Sequence, residues 1–257
     1  MPTALVTGPT AGIGRAFAES LAGRGHDLVL VSRDAARLDS VAETLHGTYG
    51  VTCEVLPADL SDAAAVRTVE DRLSDRDRPI DLLVNNAGFS LSTSFLEGDV
   101  EGEQSLLNVH VVAVMRLTKA ALGGMLERRS GTIVNISSVA SFAPYGTYGA
   151  AKAWVTSFSE GLAAELLGTG VRVLAVCPGY VRTEFHQRSG VQVRGLPGWM
   201  WLQPEDIVAA TMRHLDAGRT SPVLIPTMRY RLVALGSRCG PRPIVRKFSH
   251  MLRLRRR

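Results

Sequence analysis

Residues 3–14 read Thr-Ala-Leu-Val-Thr-Gly-Pro-Thr-Ala-Gly-Ile-Gly, a short apolar run that leads straight into a glycine-rich turn. A helical segment opens at about Gly12, so this stretch predicts a strand, a tight turn and a helix. Glycines let such a turn approach a pyrophosphate, whose charge is met by N–H groups at the start of the helix. A tight turn without a ligand is the alternative, and the position in the first strand–helix unit favours a dinucleotide site.

Short apolar runs and longer segments of helical period alternate along the chain to about residue 226. Seven runs are candidate strands: Ala4–Val6, Leu28–Val31, Val51–Leu56, Ile80–Val84, Thr132–Ile136, Val171–Val176 and Val223–Ile225. Helix-length segments between them include Gly12–Gly23, Ala35–Leu45, Ala63–Leu73, Leu106–Leu126 and Tyr148–Leu167. Strands that are apolar on both faces and separated by helices are typical of a covered parallel sheet. We therefore predict an α/β fold, a single doubly wound domain with a seven-stranded parallel sheet and helices on both faces, over residues 1–226.

The composition is that of an ordinary soluble globular protein. Of the 257 residues, 46% are hydrophobic and 21% are charged, which excludes a disordered, collagen-like or disulfide-scaffold protein. Cys53, Cys177 and Cys239 are odd in number, and no basic segment precedes a long apolar run near Met1. We therefore expect a cytoplasmic protein with no signal peptide or spanning helix at this end. The six histidines form no ligand cluster, so we predict no metal site.

The net charge of +5 hides an asymmetry between the body of the chain and its C-terminal segment. Residues 217–257 hold eleven Lys or Arg and no acid, so the remainder is net acidic and nucleic-acid binding is not expected. Within a basic extension over residues 227–257, Pro243–Arg255 predicts a short helix with an apolar face of Ile244, Val245, Phe248, Met251 and Leu252. This helix either docks on the protein's own surface or makes a peripheral contact with an anionic membrane.

The second candidate strand ends in Ser32-Arg33-Asp34, where a dinucleotide fold meets the adenosine ribose. An acidic residue at this strand tip would bind a 2′-hydroxyl, whereas a serine hydroxyl and an arginine guanidinium suit a 2′-phosphate. The pattern therefore favours NADP(H) over NAD(H). In the alternative interpretation, Arg33 lies at the start of a solvated helix that Asp34 caps.

Polar residues follow the fourth and fifth candidate strands. Asn85-Asn86-Ala87-Gly88 ends the fourth strand, and Asn135-Ile136-Ser137-Ser138 ends the fifth. Tyr148 and Lys152 then follow four residues apart, which places both on one face of a helix. A phenol is a poor acid or base at neutral pH, and a neighbouring ammonium lowers its pKa towards the working range. A surface pair is the alternative interpretation, but the flanking motifs favour a catalytic pair.

Taken together, these motifs resemble those of the short-chain dehydrogenase/reductase family over about the first 226 residues. The resemblance rests on Thr7 to Gly14, Asn85 to Gly88, Asn108, Ser138, Tyr148 with Lys152, and Pro178 to Thr183. It implies a Rossmann-type fold, a homodimer or homotetramer, and hydride transfer between a nicotinamide and a carbonyl or carbinol carbon. It also implies that Tyr148 exchanges the proton and Ser138 holds the substrate oxygen. Lys152 would bind the ribose and lower the pKa of Tyr148, and Asn108 would support a water-linked proton path.

The resemblance also implies a set of cofactor-binding residues, in which Asp59 meets the adenine and Thr183 meets the nicotinamide amide or the phosphates. The set is Gly8, Thr10, Gly12, Ile13, Gly14, Arg33, Asp59, Asn86, Ala87, Gly88, Tyr148, Lys152, Pro178, Gly179, Val181 and Thr183. Two features depart from the family pattern. Ser138 precedes Tyr148 by ten residues, fewer than is usual, so Ser137 competes with Ser138, which we prefer as the second serine of the run. Pro9 removes one N–H donor from the glycine-rich turn.

Residues 184–203 lie between the sixth strand and a helix that begins near Pro204, where the family closes a lid over the substrate. The apolar candidates here are Phe185, Leu196, Trp199, Met200 and Trp201, joined by Phe89, Phe95, Leu96, Phe142 and Tyr145. They favour an apolar carbonyl or alcohol substrate, and the alternative is that they pack the lid or a subunit contact. The sequence thus predicts an NADP(H)-dependent oxidoreductase. The rival hypothesis is a non-catalytic NADP(H)-binding redox sensor or interaction protein.

Overall fold

A computed structural model describes residues 1–185, 196–241 and 243. Its strands are β1 (Thr3–Thr7), β2 (Asp27–Ser32), β3 (Cys53–Pro57), β4 (Leu82–Asn85), β5 (Gly131–Ile136), β6 (Val171–Val176) and β7 (Val223–Leu224). They form one parallel sheet in the order β3-β2-β1-β4-β5-β6-β7. The predicted doubly wound fold with seven strands is confirmed. Because the strand order reverses between β1 and β4, a crevice opens at the carboxyl ends of these two strands.

Helices pack on both faces of the sheet. They are α1 (Gly12–Ala22), α2 (Ala35–Tyr49), α3 (Ala63–Ser74), α4 (Val100–Leu107), α5 (Val114–Glu127), α6 (Gly146–Glu165), α7 (Pro204–Asp216) and α8 (Met228–Cys239). Strand β1 shows why both faces need cover, since its side chains alternate between two buried clusters. Val6 packs in one cluster with Phe17 of α1, and Leu5 packs in the other with Leu117 of α5.

Aspartates cap several of these helices, but α1 begins differently. The side chain of Asp34 accepts a hydrogen bond from the N–H of Arg37 at the start of α2. Asp62 caps α3 in the same way. Ala11 precedes α1 and supplies no side-chain cap. The N-terminus of α1 therefore faces the end of β1 without a side-chain oxygen of its own to neutralise its partial positive charge.

The helical run from Val100 to Glu127 changes its period in the middle. A π-helical turn, Asn108–Ala113, joins α4 to α5, whereas the sequence predicted one regular helix over Leu106–Leu126. Such a turn inserts an extra residue and is frequent at functional sites. By length and composition the run would suit a membrane span, yet 56% of its most apolar stretch is buried inside the protein. Its apolar composition is therefore that of a helix packed in a protein core.

Helix α8 lies in the segment predicted to be a basic extension, and it packs against the rest of the fold. Tyr230 is 1% exposed. Its hydroxyl donates a hydrogen bond to the carbonyl of Met200 at 2.8 Å and accepts one from the N–H of Tyr180 at 3.0 Å. The first helix after residue 226 is thus anchored in the domain core. Of the amphipathic helix predicted for Pro243–Arg255, all but Pro243 lies outside the described residues.

Candidate active site

The carboxyl ends of the strands open into a cavity of about 730 Å³ beside the β1–β4 crevice. Most of the predicted site residues line it: Gly8, Thr10, Gly12, Ile13, Arg33, Asn86, Ala87, Gly88, Ser138, Tyr148, Lys152, Pro178, Gly179, Val181 and Thr183. The other three members of the predicted set, Gly14, Asp59 and Asn108, are not part of this lining. The strand ends therefore bring together residues that are more than 170 positions apart in sequence.

The glycine-rich turn is held tightly against the end of β4. The side-chain amide of Asn86 donates to the carbonyl of Thr7 at 2.9 Å and to that of Gly8 at 3.1 Å. The hydroxyl oxygen of Thr7 in turn accepts the N–H groups of Asn86 and Ala87, both at 2.9 Å. A Cβ atom at Gly14 would collide with the carbonyl oxygen of Gly8 and with the Asn86 amide. Gly14 thus allows the close approach that shapes the turn, although it does not line the cavity.

Arg33 and Asp59 mark the end of the cavity that β2 and β3 form. One oxygen of Asp59 accepts both the N–H of Ser61 at 2.9 Å and its hydroxyl at 2.7 Å, while the other lies 3.8 Å from the Arg33 guanidinium. Burial would raise the pKa of Asp59, but these hydrogen bonds and the charge of Arg33 lower it below its ordinary value. The carboxylate therefore stays ionised and holds the loop after β3, and Arg33 is the member of the pair that lines the cavity.

A second arginine, Arg37, lies close to the same end and was not identified from the sequence. Its guanidinium lies 3.3 Å from the Thr10 carbonyl oxygen and 3.3 Å from the Glu184 carboxylate. It connects the first turn of α2 to the glycine-rich turn and to the residues after β6. Its spacing of four residues from Arg33 is the sequence signal that would have identified it.

The two neighbouring serines after β5 have different surroundings. Ser137 is buried, and its hydroxyl donates to the carbonyl of Lys152 at 2.8 Å while also bonding the Thr156 hydroxyl at 2.7 Å. Ser138 is less buried and lines the cavity, and its side chain accepts, among the described residues, only the N–H of Ala140, at 3.1 Å. The structure therefore favours Ser138 as the serine available to a substrate oxygen, as preferred from the sequence.

Lys152 lies behind Tyr148 in the same wall of the cavity. Its ammonium donates to the carbonyl of Ile136 at 2.6 Å and lies 5.9 Å from the centre of the Tyr148 ring. Burial lowers the pKa of Lys152 to about 7, and the nearby Cys177 acts weakly in the opposite direction. At neutral pH the lysine is thus poised between its charged and neutral forms. A bound group that accepts its hydrogen bonds would favour the charged form.

Asn108 is not among the residues that line this cavity, and its role in a water-linked proton path stays a prediction. Its side-chain amide donates to the carbonyl of Ser61 at 3.1 Å, and its oxygen accepts from Gln104 at 2.9 Å. The π-helical turn brings His110 to the cavity instead, where its ring meets the Tyr148 ring edge-on with the centroids 5.5 Å apart. The sequence signal was a single histidine within the apolar run from Val109 to Val114.

Only part of the predicted apolar set reaches the cavity. Phe89, Tyr145, Phe185, Leu196 and Met200 line it, and the Phe185 ring lies 6.1 Å from that of Tyr148. Phe95 and Leu96 are largely exposed, Phe142 lies against Arg238, and Trp201 lies against Tyr180 and Arg182. Trp199 is also exposed. Helix α8 adds Tyr230, Val233 and Ser237 to the lining, which sequence reasoning missed. Residues 186–195 of the predicted lid lie outside the described residues.

The described residues contain no cluster of three or more His, Cys, Asp or Glu that could hold a metal ion. The three cysteines, all within the described ranges, are free. The polar side chains that line the cavity carry hydroxyl, amide, guanidinium and ammonium groups, together with the His110 imidazole and the Glu184 carboxylate. Such a set can bind a phosphorylated ligand and exchange a proton with a polar oxygen.

Comparison with known proteins identifies similarity to short-chain dehydrogenases. The family model for short chain dehydrogenases matches residues 2–193. An uncharacterized oxidoreductase of Staphylococcus saprophyticus is 37% identical over 216 residues, which are 83% of this chain and 90% of that protein. A short-chain dehydrogenase from Sphingobium yanoikuyae, solved in complex with NADPH, is 41% identical with a TM-score of 0.83 over 93% of this chain and 94% of that one. The bulky-bulky ketone specific alcohol dehydrogenase from Comamonas testosteroni is 35% identical with a TM-score of 0.80, over 92% of each chain.

Proposed function

The chain belongs to the short-chain dehydrogenase/reductase family, and from that premise we propose that it is an NADP(H)-dependent oxidoreductase of apolar ketones or secondary alcohols. Membership makes it a nicotinamide-dependent oxidoreductase acting on carbonyl or alcohol groups. The proposal rests on one observation: Ser138, Tyr148 and Lys152 line the same cavity as the glycine-rich turn. When bound, NADPH supplies the hydride to the substrate carbon.

The residues present fit such a cofactor. At one end of the cavity the backbone at Gly8 and the N-terminus of α1 form a cradle in which a Cβ at Gly14 would not fit. A helix start without a side-chain cap suits the negative charge of a pyrophosphate. Ala87 and Gly88 line the adjacent wall, and Lys152 lies further along, where it would meet ribose hydroxyls.

The chemical work of the protein's own residues follows from these positions. The Ser138 hydroxyl donates a hydrogen bond to the substrate oxygen and orients it. The Tyr148 hydroxyl gives its proton to that oxygen during reduction, or takes one back during oxidation. The charged form of Lys152 favours the phenolate of Tyr148, which makes the proton easier to release. Phe185 and Met200 cover the site on the apolar side and limit the access of water.

The preference for NADP(H) is supported by Arg33. It lines the cavity, and its side chain is 75% exposed and lies 3.8 Å from Asp59 in a pair that solvent weakens. Its guanidinium is therefore free to turn towards a 2′-phosphate, which it can bind through two N–H groups. Arg37 adds a second positive charge near Thr10. The bound NADPH of the Sphingobium relative agrees with this choice.

The preference for an apolar substrate is supported by the lining beyond Tyr148, where Phe89, Phe185, Leu196, Met200 and Val233 line the cavity. The named specificity of the Comamonas relative for bulky ketones is consistent with a wide apolar site.

To test the proposal, purified protein is incubated with NADPH and a broad panel of ketones. We expect NADPH oxidation with bulky apolar ketones and none with Tyr148→Phe. NADPH binding without turnover across the panel would favour the non-catalytic redox sensor.

We also propose that the basic C-terminal segment makes a peripheral contact with anionic membranes. Residues 229–257 hold ten Lys or Arg and no acid. Helix α8, which begins this segment, exposes Met228, Leu232 and Leu235 on its outer side while its inner side lines the cavity. Basic residues beside an apolar stripe suit an anionic bilayer surface. A contact of this kind would bring the cavity close to an apolar substrate dissolved in the membrane.

A further inference from the structure

The ring of Tyr230 in α8 packs directly on the backbone that follows β6. Its side chain is buried. A Cβ atom at Gly179 would collide with three atoms of the Tyr230 ring, so the ring occupies the space that the missing side chain leaves. Tyr230, Gly179 and Pro178 all line the cavity. The ring therefore supports a part of the cavity wall at the end of β6.

The hydroxyl of Tyr230 connects two separate segments of chain. It accepts the N–H of Tyr180, shortly after β6, at 3.0 Å, and it donates to the carbonyl of Met200, in the turn Gly198–Met200, at 2.8 Å. Both partners are backbone groups, so the hydroxyl fixes the path of each segment. Burial raises the pKa of Tyr230, and at neutral pH the hydroxyl therefore keeps the proton that it donates to Met200.

The same two segments are paired with each other next to this hydroxyl. The N–H of Leu202 donates to the carbonyl of Tyr180, and the N–H of Arg182 donates to the carbonyl of Leu202, both at 2.9 Å. Leu196 and Met200 belong to residues 196–200, the Met200 segment, and both line the apolar part of the cavity. The Leu202 pairing and the Tyr230 hydroxyl together hold this segment at a defined distance from the end of β6.

We propose that Tyr230 is a positioning residue, whose hydroxyl holds the Met200 segment where a bulky apolar substrate can pack against it. The inference rests on the proposed function. Tyr230 acts through Leu196 and Met200, which would contact the apolar part of the substrate, and it takes no part in the transfer of the hydride or the proton. Because a hydrogen bond has a narrow range of lengths, the two bonds of the hydroxyl limit how far this wall can yield.

Tyr230→Phe tests the hydroxyl alone, because phenylalanine keeps the ring against Gly179. The assay compares the bulkiest and the smallest apolar ketone that the parent protein reduces, such as benzophenone and acetone. We expect the variant to raise KM for the bulky ketone about tenfold, the effect of losing one well-fitted apolar contact in a pocket. Since this contact is present in both the ground state and the transition state, kcat should change little. KM for the small ketone and Kd for NADPH should stay at the parent's values.

Thr211→Val is the matched control, because it removes a buried hydroxyl that donates to the Ile207 carbonyl within α7 and is not part of the cavity lining. Hydrogen exchange followed by mass spectrometry gives a second readout that needs no substrate. Tyr230→Phe should speed exchange in peptides that cover residues 196–202, and Thr211→Val should not. In a Met200→Ala background, Tyr230→Phe should add little to the rise in KM, because both changes remove the same contact.

An equal rise in KM for both ketones, or the same rise in Thr211→Val, would show that the hydroxyl serves only the general stability of the fold and would overturn the inference. Full additivity of Tyr230→Phe and Met200→Ala would show that the hydroxyl does not act through Met200, with the same consequence. A parent protein that turns over ketones while Tyr230→Phe leaves both KM values unchanged removes only this inference. A parent that reduces no ketone removes the proposed function, and this inference with it.

Discussion

At the scale of single residues, the proposed preference for NADP(H) depends on Arg33. We expect Arg33→Ala to weaken NADPH binding by about 1–3 kcal/mol, the range for a charge-assisted hydrogen bond, and to change NADH binding little. Titration of each cofactor by fluorescence measures both affinities. Arg24→Ala is the matched control, because Arg24 pairs with Asp216 between the end of α1 and the start of β2, whereas the cavity lies at the carboxyl ends of the strands. Equal losses for NADPH and NADH in Arg33→Ala would contradict the assignment.

We expect Lys152 to make cofactor binding depend on pH. Its pKa in the protein without cofactor is about 7 because it is buried. The negative charge of NADPH and the ribose hydroxyls favour the ammonium, so the pKa rises on binding and a proton is taken up between the two values. NADPH affinity should therefore be highest below pH 7 and fall above it, by at most about tenfold per pH unit.

Calorimetry near pH 8 in two buffers of different ionisation enthalpy measures this proton uptake directly. The Lys152→Met variant should bind NADPH without taking up this proton. Identical binding enthalpies in the two buffers for the parent protein would show that the pKa of Lys152 does not change on binding.

The serine and histidine positions show what sequence can and cannot predict for single residues. Ser138 was preferred to Ser137 on its place in the motif, and the hydrogen bonds of Ser137 to Lys152 and Thr156 support that preference. Asn108 was assigned from the motif alone, and its role stays a prediction, since the structure shows only that its side-chain amide donates to the Ser61 carbonyl. Which side of a helix faces the cavity depends on its local period, and a motif does not contain that information.

At the scale of elements, the π-helical turn and α8 are the parts that sequence patterns did not predict. An apolar periodicity over Leu106–Leu126 identifies a buried helix but not the extra residue of the Asn108–Ala113 turn. The buried face of α8 consists mainly of Tyr230 and Ala234. The arginines at 229, 231 and 238 interrupt the apolar pattern of the sequence, so this face is hard to recognise from it. The composition indicated only a basic extension over residues 227–257, and the structure shows that its first part is a packed helix.

Helix α8 also determines how the membrane proposal is tested. Ending the chain at Thr227 would remove Tyr230 from the core, so the shorter form should end at Pro241, which keeps α8 and removes seven basic residues. We expect the full chain to sediment with anionic vesicles at low salt and to be released as salt screens the charges. The shorter form should bind less, with an unchanged melting temperature. If two equally stable forms sediment equally with the vesicles, the proposed membrane contact of the C-terminal segment is contradicted.

At the scale of the whole molecule, the sheet was predictable because its strands are buried on both faces. Uninterrupted apolar runs such as Leu28–Val31 have few other stable arrangements, and the helices between them require parallel strands. The cavity followed from the same pattern, since parallel strands all end at one edge. The substrate side was less predictable. Phe95 and Leu96 are exposed, whereas Val233 lines the cavity from a helix that arrives from the end of the chain. Such contacts arise only from the tertiary fold.

The central claim is that this cavity transfers a hydride to an apolar carbonyl while Tyr148 supplies the proton. The most direct test uses NADPH that carries deuterium at the transferred C4 position, together with a bulky apolar ketone. With the parent protein, mass spectrometry should find one deuterium on the carbinol carbon of the alcohol product. Tyr148→Phe should bind the same NADPH and give no labelled alcohol. Tight NADPH binding by the parent without deuterium in the product of any ketone tested would contradict the claim.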